Sequence, residues 1–251
     1  MKKFVLMILA SLCLFSTTPS VFADDAKKQS EISNQFQLVD QAKLSDVEKA
    51  FVKIAREHKG VHKFGTLYVI AAGPKANLGY GLKYEKQEQL LERLIIYVKE
   101  TTPEPGKAYA DVISYPCIIG RVNLPPYTTL SVYDVDIKKA FGDHQNFLLD
   151  FKEKQITNDR RKVWSINLET PITQSELDTY KVSIKQLGKN EKEVPVTILL
   201  DKKNRKTIKV IPRIKFEPGS FYLLEIVYVT KKDTKMTVIP FEVKGKKGKW
   251  K

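Results

Sequence analysis

Apolar runs and alternating apolar and polar positions, rather than helical stripes, dominate the chain from Phe64 onward. Thr66-Leu-Tyr-Val-Ile-Ala-Ala72 is a continuous apolar run of the length of a buried strand. Gly73-Pro74 breaks it, and Leu78-Gly-Tyr-Gly81 supplies a second corner where positive φ is accessible. Strand signals follow at Leu82–Tyr84 and Leu94–Val98. Pro103-Glu-Pro-Gly106 is a turn that continues neither neighbour, and Ser114-Tyr-Pro-Cys-Ile-Ile119 is the last strand of the stretch. One helix comes before it. Leu44, Val47, Phe51 and Ile54 recur at helical spacing, Ser45 and Glu48 make a capping box, and Gly60 stands where a closing glycine belongs. This helix is expected to pack on the sheet that follows.

Beyond Asp134 the pattern changes. Ile137–Phe141 and Phe147–Phe151 are short apolar groups among charges, and Asn158–Arg161 is a polar boundary. After Arg161 strands recur between polar turns: Lys162–Leu168, with Trp164, Ile166 and Leu168 as its core face, then Val182–Leu187, Val194–Leu200, Thr207–Ile211, Phe221–Val229 and Met236–Val243. That series predicts an antiparallel β-sandwich. The expected organisation is a signal peptide at 1–23, a flexible leader at 24–43, a first domain at 44–133, a linker at 134–159, a second domain at 160–243 and a basic tail at 244–251. The fold class is mainly β, with an α+β first domain built from one amphipathic helix and a small β module.

The first residues add a compartment. Lys2 and Lys3 form a positive start, Phe4–Phe15 an apolar core too short to span a bilayer comfortably, and Val21-Phe-Ala23 a cleavage signal. Cys13 lies inside that core behind Leu12, which does not suit a lipobox. The mature chain is therefore expected to be secreted, with cell-wall association, and to carry no membrane span. The formal charge is +14; without the two lysines of residues 1–23 it is +12 over 228 residues. Such a surplus fits nucleic acid, anionic lipid or a phosphate-rich wall polymer, and export argues against nucleic acid. The bland reading is lysines that merely solvate the surface. The charge concentrates in the tail, where Lys244, Lys246, Lys247, Lys249 and Lys251 accompany Trp250 and no acid. These six residues are the candidate polyanion-binding set, against the alternative of a solubilising end.

Catalytic signals are weak. After cleavage Cys117 has no intrachain partner. It sits on an apolar strand, where a thiol behaves as a small buried hydrophobe rather than a nucleophile, which would need a histidine base. Glu57, His58, His62 and His144 suggest zinc, but Gly60 interrupts the interval between the first two histidines, so solvated histidines are the better expectation. Asp143-His144 meets no Gly-x-Ser-x-Gly motif, and a loop histidine accounts for it. The expectation is a protein that is not an enzyme and has no cofactor and no metal.

Two resemblances sharpen this. Gly79-Tyr80 at a strand entry, the Pro103–Gly106 turn and Tyr115-Pro116 on a later strand resemble the PrcB C-terminal domain family. That family is named for a secreted subunit associated with a bacterial protease complex, and the resemblance implies a small β-rich module. The loop Gly73–Gly79 departs from it in carrying Lys and Asn, and so does Cys117. In the second half, Trp164–Leu168 with Pro171-Ile172, Ile208–Pro212, Phe216–Leu223 and Pro240–Val243 resemble the SbsA-type Ig-like domain of bacterial surface proteins. Its most informative element is Pro218-Gly219-Ser220-Phe221-Tyr222, and Asn167 is a minor departure. This likeness implies an adhesive, spacer or presenting module. Together they imply an exported binding protein with an unknown protein partner or an anionic cell-wall polymer. The alternative is an accessory subunit of a secreted protease.

Overall fold

A computed structural model describes residues 35–142, 146–188, 191–230 and 232–245. The expected signal peptide, the first part of the leader, the Asp143-His144 pair and the tail beyond Gly245 lie outside them. The first half runs β1 (Gln37–Leu38), α1 (Asp46–Ala55), β2 (Gly60–Phe64), β3 (Leu67–Ala71), β4 (Gly81–Leu90), β5 (Arg93–Thr101), β6 (Cys117–Arg121), β7 (Thr129–Asp134) and β8 (Lys139–Ala140). The second runs β9 (Phe147–Phe151), β10 (Gln155–Thr157), β11 (Trp164–Asn167), α2 (Gln174–Leu177), β12 (Tyr180–Leu187), β13 (Lys192–Val194), β14 (Val196–Leu200), β15 (Thr207–Pro212), β16 (Phe221–Val229) and β17 (Thr234–Val243).

Four sheets result. Sheet one has the order β1-β6-β3-β2 and sheet two β4-β5-β7-β8. Sheet three is β10-β17-β16-β12-β13, with β9 also on β17, and sheet four is β11-β15-β14. Sheets one and two share a core of Tyr68, Ile70 and Ile118 with Ile96, Val98 and Val132. Sheets three and four share Tyr222, Leu224 and Phe241 with Trp164, Ile208 and Val210. The opposite faces of sheets one and three close on α1, where Leu67, Val69 and Ala71 meet Phe51, Val52, Ile54 and Ala55, and these meet Leu223, Met236 and Val238. The layers are therefore sheet, sheet, helix, sheet, sheet. This explains the unbroken apolar run of β3, all of whose residues are buried: a strand covered on both faces has no polar side to present. The helix is held at its start by a capping box between Ser45 and Glu48. Glu48 also takes a 2.6 Å bond from Arg121 on β6. Burial opposes ionisation of Glu48, but the bonds from Ser45 and Arg121 win and lower its pKa.

The structure changes three expectations. Residues 35–43 are not a free leader: Phe36 is buried and β1 extends sheet one, because Phe36 packs flat against Gly120, where a Cβ would come within 2.2 Å of its ring. The stretch read as a linker contains β9 and β10, both parallel to β17, so sheet three is mixed rather than antiparallel. β9 is anchored by Phe151, which meets Phe51 and Phe64 edge-on at 5.3 and 5.0 Å. Finally, β4 continues through the charged run Glu85–Gln89 to Leu90, with a bulge between Tyr84 and Lys86. As the border strand of its sheet it tolerates charge on an open edge.

Each half also carries the same short clasp, Glu-Pro-Gly-x-x-Tyr, at Glu104–Tyr109 and Glu217–Tyr222. Proline and a positive-φ glycine make the turn, with φ of 76° at Gly106 and 78° at Gly219. The carbonyl of each glutamate accepts the N–H three residues on, at 3.2 and 3.3 Å. Its own N–H donates to the tyrosine hydroxyl, at 3.2 Å for Tyr109 and 2.7 Å for Tyr222.

Candidate interaction site

The β4–β5 hairpin reverses in two residues, since Leu90 pairs with Arg93. Its sequence, Leu91-Glu92, contains none of the glycine or asparagine that such turns favour. Leu91 consequently sits at φ 47°, a region costly for a branched side chain, and is 97 % exposed. Beside it the Pro125–Thr128 turn, closed by a 3.1 Å bond from Thr128 N–H to the Pro125 carbonyl, holds Tyr127 at φ 66° and 88 % exposed. The two turns are joined by the Thr129 N–H donating to the Glu92 carbonyl at 2.8 Å. Leu90, Leu91, Glu92, Arg93, Tyr127 and Thr129 line one open hollow of about 800 Å³. A leucine and a tyrosine, both on positive-φ backbone and both projecting into solvent at one place, serve no purpose in the core. Backbone outliers of this kind cluster at functional sites. Neither residue is visible as a site in the sequence. The available signal is negative: a tight reversal with no turn residue.

The residues read as chemical candidates fall elsewhere. His62 and His58 were expected to be solvated but are instead packed at the end of α1. His62 is buried and its Nε2–H donates to the His58 carbonyl at 2.8 Å. The His58 ring stacks on Phe147 with centroids 3.5 Å apart. Burial lowers the pKa of both; proximity to His62 adds to the shift of His58, and the bond to the His58 carbonyl partly offsets that of His62. Cys117 is half-buried against the helix core, and burial raises its thiol pKa although Arg56 works in the other direction. Among the described residues no group of three or more His, Cys, Asp or Glu could hold a metal ion.

The residues that carry the first resemblance meet in space. A Cβ on Gly79 would approach Pro103 and the Tyr109 ring at 2.9 Å, so that glycine is dictated by the turn it faces. The Gly79 N–H donates to the Asn77 side chain at 2.9 Å, and the Ser114 hydroxyl donates to the Asn77 carbonyl at 2.7 Å. These residues brace a loop; they do not form a reactive centre. Of the candidate tail residues, Lys244 leaves β17 with its N–H on the Thr157 carbonyl at 2.9 Å. Lys246, Lys247, Lys249, Trp250 and Lys251 lie outside the described residues.

Comparison with known proteins agrees with part of this picture. Residues 66–123, from the strand entry of β3 to just beyond β6, match the sequence model of the family described as PrcB C-terminal. Nothing among curated proteins matches the chain. Among solved structures, the crystal structure of selenomethionine PcoC, a copper resistance protein from Escherichia coli, is similar over 37 % of this chain and 90 % of its own. The identity is 13 % and the TM-score 0.30.

Proposed function

We propose that the protein is an exported, non-enzymatic binding protein of the bacterial envelope or extracellular space, and that the Leu91–Tyr127 rim docks a protein partner. The carrying observation is the pair of exposed apolar side chains held in strained backbone. Lys2-Lys3, Phe4–Phe15 and Val21-Phe-Ala23 support export. The raised pKa of Cys117 and the internally bonded ring of His62 speak against their use in catalysis. The second sandwich acts in this reading as an SbsA-type Ig-like presenting module. In its support, the residues of that resemblance line the core, and the Tyr222 hydroxyl returns to the backbone upstream like a tyrosine corner. A second reading, an accessory subunit of a secreted protease complex, is favoured by the family match, which spans the β4–β5 turn.

The test compares tagged mature protein with a Leu91→Asn/Tyr127→Asn variant on culture supernatant and wall extract. Asparagine tolerates positive φ, so the variant keeps the fold and loses only the apolar display. A protein retained by the wild type and lost by the variant is the expected result. If that protein is a protease, the second reading holds. Equal retention by both proteins overturns the rim as the docking site.

A further inference from the structure

Residues 160–163 and 211–216 run side by side at one end of sheet four. Arg160 sets the alignment: its carbonyl accepts the Phe216 N–H at 2.8 Å, and its Nε–H donates to the Phe216 carbonyl at 2.8 Å. Just beyond, β11 and β15 pair Trp164 with Val210. Arg160, Arg161, Lys162, Arg213 and Lys215 thus share two adjacent segments that contain no acid. Lys162 is half-buried, 4.7 Å from the centre of the Trp164 ring, and the other four are exposed. Some cations of the fold are matched with carboxylates: Lys75 with Glu100, Lys185 with Glu225, Lys209 with Asp201. Among the described residues none of these five has an ion-pair partner. The flanking acids are engaged otherwise. Asp159 accepts the Arg161 N–H at 2.8 Å, and Glu217 accepts the Gln186 side-chain amide at 2.9 Å.

Five like charges gathered on two neighbouring segments repel one another, and the two flanking carboxylates, Asp159 and Glu217, leave a surplus of three positive charges. The end of β17 lies at the same place. Val243 pairs with Thr157, and Lys244 is bonded to the Thr157 carbonyl, three residues before Arg160. We infer that the Arg160–Lys162 and Arg213–Lys215 cluster binds a flexible linear polymer that carries phosphate charges. Releasing that polymer's counterions favours a cationic track over scattered lysines. Val163 and Ile214 are exposed beside the cations, which makes an anionic bilayer the competing occupant; two aliphatic side chains offer it little to insert. The proposal concerns a surface remote in sequence from the Leu91–Tyr127 rim and stands independently of it.

The probe is long-chain polyphosphate, titrated against the mature protein over a salt series. One variant carries Arg161→Gln, Lys162→Gln, Arg213→Gln and Lys215→Gln. A charge-matched control carries Lys202→Gln, Lys203→Gln, Arg205→Gln and Lys206→Gln at the β14–β15 connection. That connection already contains a fixed anion, Asp201, whose pKa is held at about 2 by Lys209 and by the N–H groups of Asn204 and Lys203. The cluster variant should lower the slope of log affinity against log salt by about 3, from roughly 0.7 for each of four lost phosphate contacts. The control should stay near the wild type. Arg161→Gln/Lys215→Gln, which leaves the Trp164 and Thr197 contacts untouched, should lower the slope by about half as much. Equal losses in cluster and control variants would reduce the effect to net charge and overturn the proposal. So would loss of binding to phosphatidylglycerol vesicles with polyphosphate binding intact.

Discussion

Gly120 shows how much of this fold turns on single positions. Its missing side chain lets the Phe36 ring lie on β6, with ring atoms at 2.2 to 2.7 Å from where a Cβ would stand. Gly120→Ala should therefore cost about 1–3 kcal/mol, the range for overpacking, and detach β1. Urea denaturation checks the first, and amide exchange of Val39, whose N–H donates to the Ile119 carbonyl on β6, the second. Leu91 is the opposite case. Leu91→Asn removes an unfavourable conformation and should raise stability by about 1 kcal/mol in the same measurement, while weakening partner retention. Both effects are poorly legible in sequence, for different reasons. Gly120 follows an apolar strand and reads as its end, because the partner that requires it lies far away in the chain. Leu91 reads as ordinary apolar continuation, because strain is a property of the turn and not of the residue. Gly79 and the Pro103 turn were each legible as turns, but their contact was not, because it joins segments more than twenty residues apart.

At the scale of elements, the junction of α1, β2 and β9 is set to respond to acid. Folded His58 and His62 have pKa values below the ordinary histidine value, so as pH falls the unfolded chain takes up protons first. Stability should be complete above about pH 6.5 and decline as pH drops through the folded values. The charged groups facing this junction from the neighbouring crevice are Lys53, Glu57, Lys185, Glu191 and Glu225. A urea midpoint that falls between pH 8 and 5, and falls less in His62→Gln, is the expected outcome; a flat midpoint in the wild type contradicts it. The helix itself was plain in the sequence, because its capping box and apolar spacing are local. The strands β9 and β10 were not, because parallel pairing with β17 joins segments far apart in the chain. The charged half of β4 was missed because border strands need not alternate.

For the whole molecule, the helix sandwiched between sheets one and three decides how the halves depend on each other. The sequence suggests that segments 24–155 and 158–251 fold separately. The shared core of Phe51, Ile54, Leu67, Leu223, Met236 and Val238 leads to the opposite expectation. Each segment alone would leave one side of that core in water, so neither should show dispersed amide signals by NMR, and mixing them should restore the signals. Independent folding of either segment would show that the halves are merely adjacent. The position of β17 has a mechanical consequence as well. That strand lies inside sheet three, flanked by β16 along its length and by β9 and β10 on the other side, and the tail continues directly from its end. A pull on the tail therefore runs along the strand and loads its ladders in shear, all at once, instead of peeling them bond by bond. Single-molecule pulling through the tail should meet a high rupture force, well above that for a pull on the β4–β5 turn, where the strands can unzip from the open end. Load applied at the end of β17 thus enters the fold where it is best able to bear the tension.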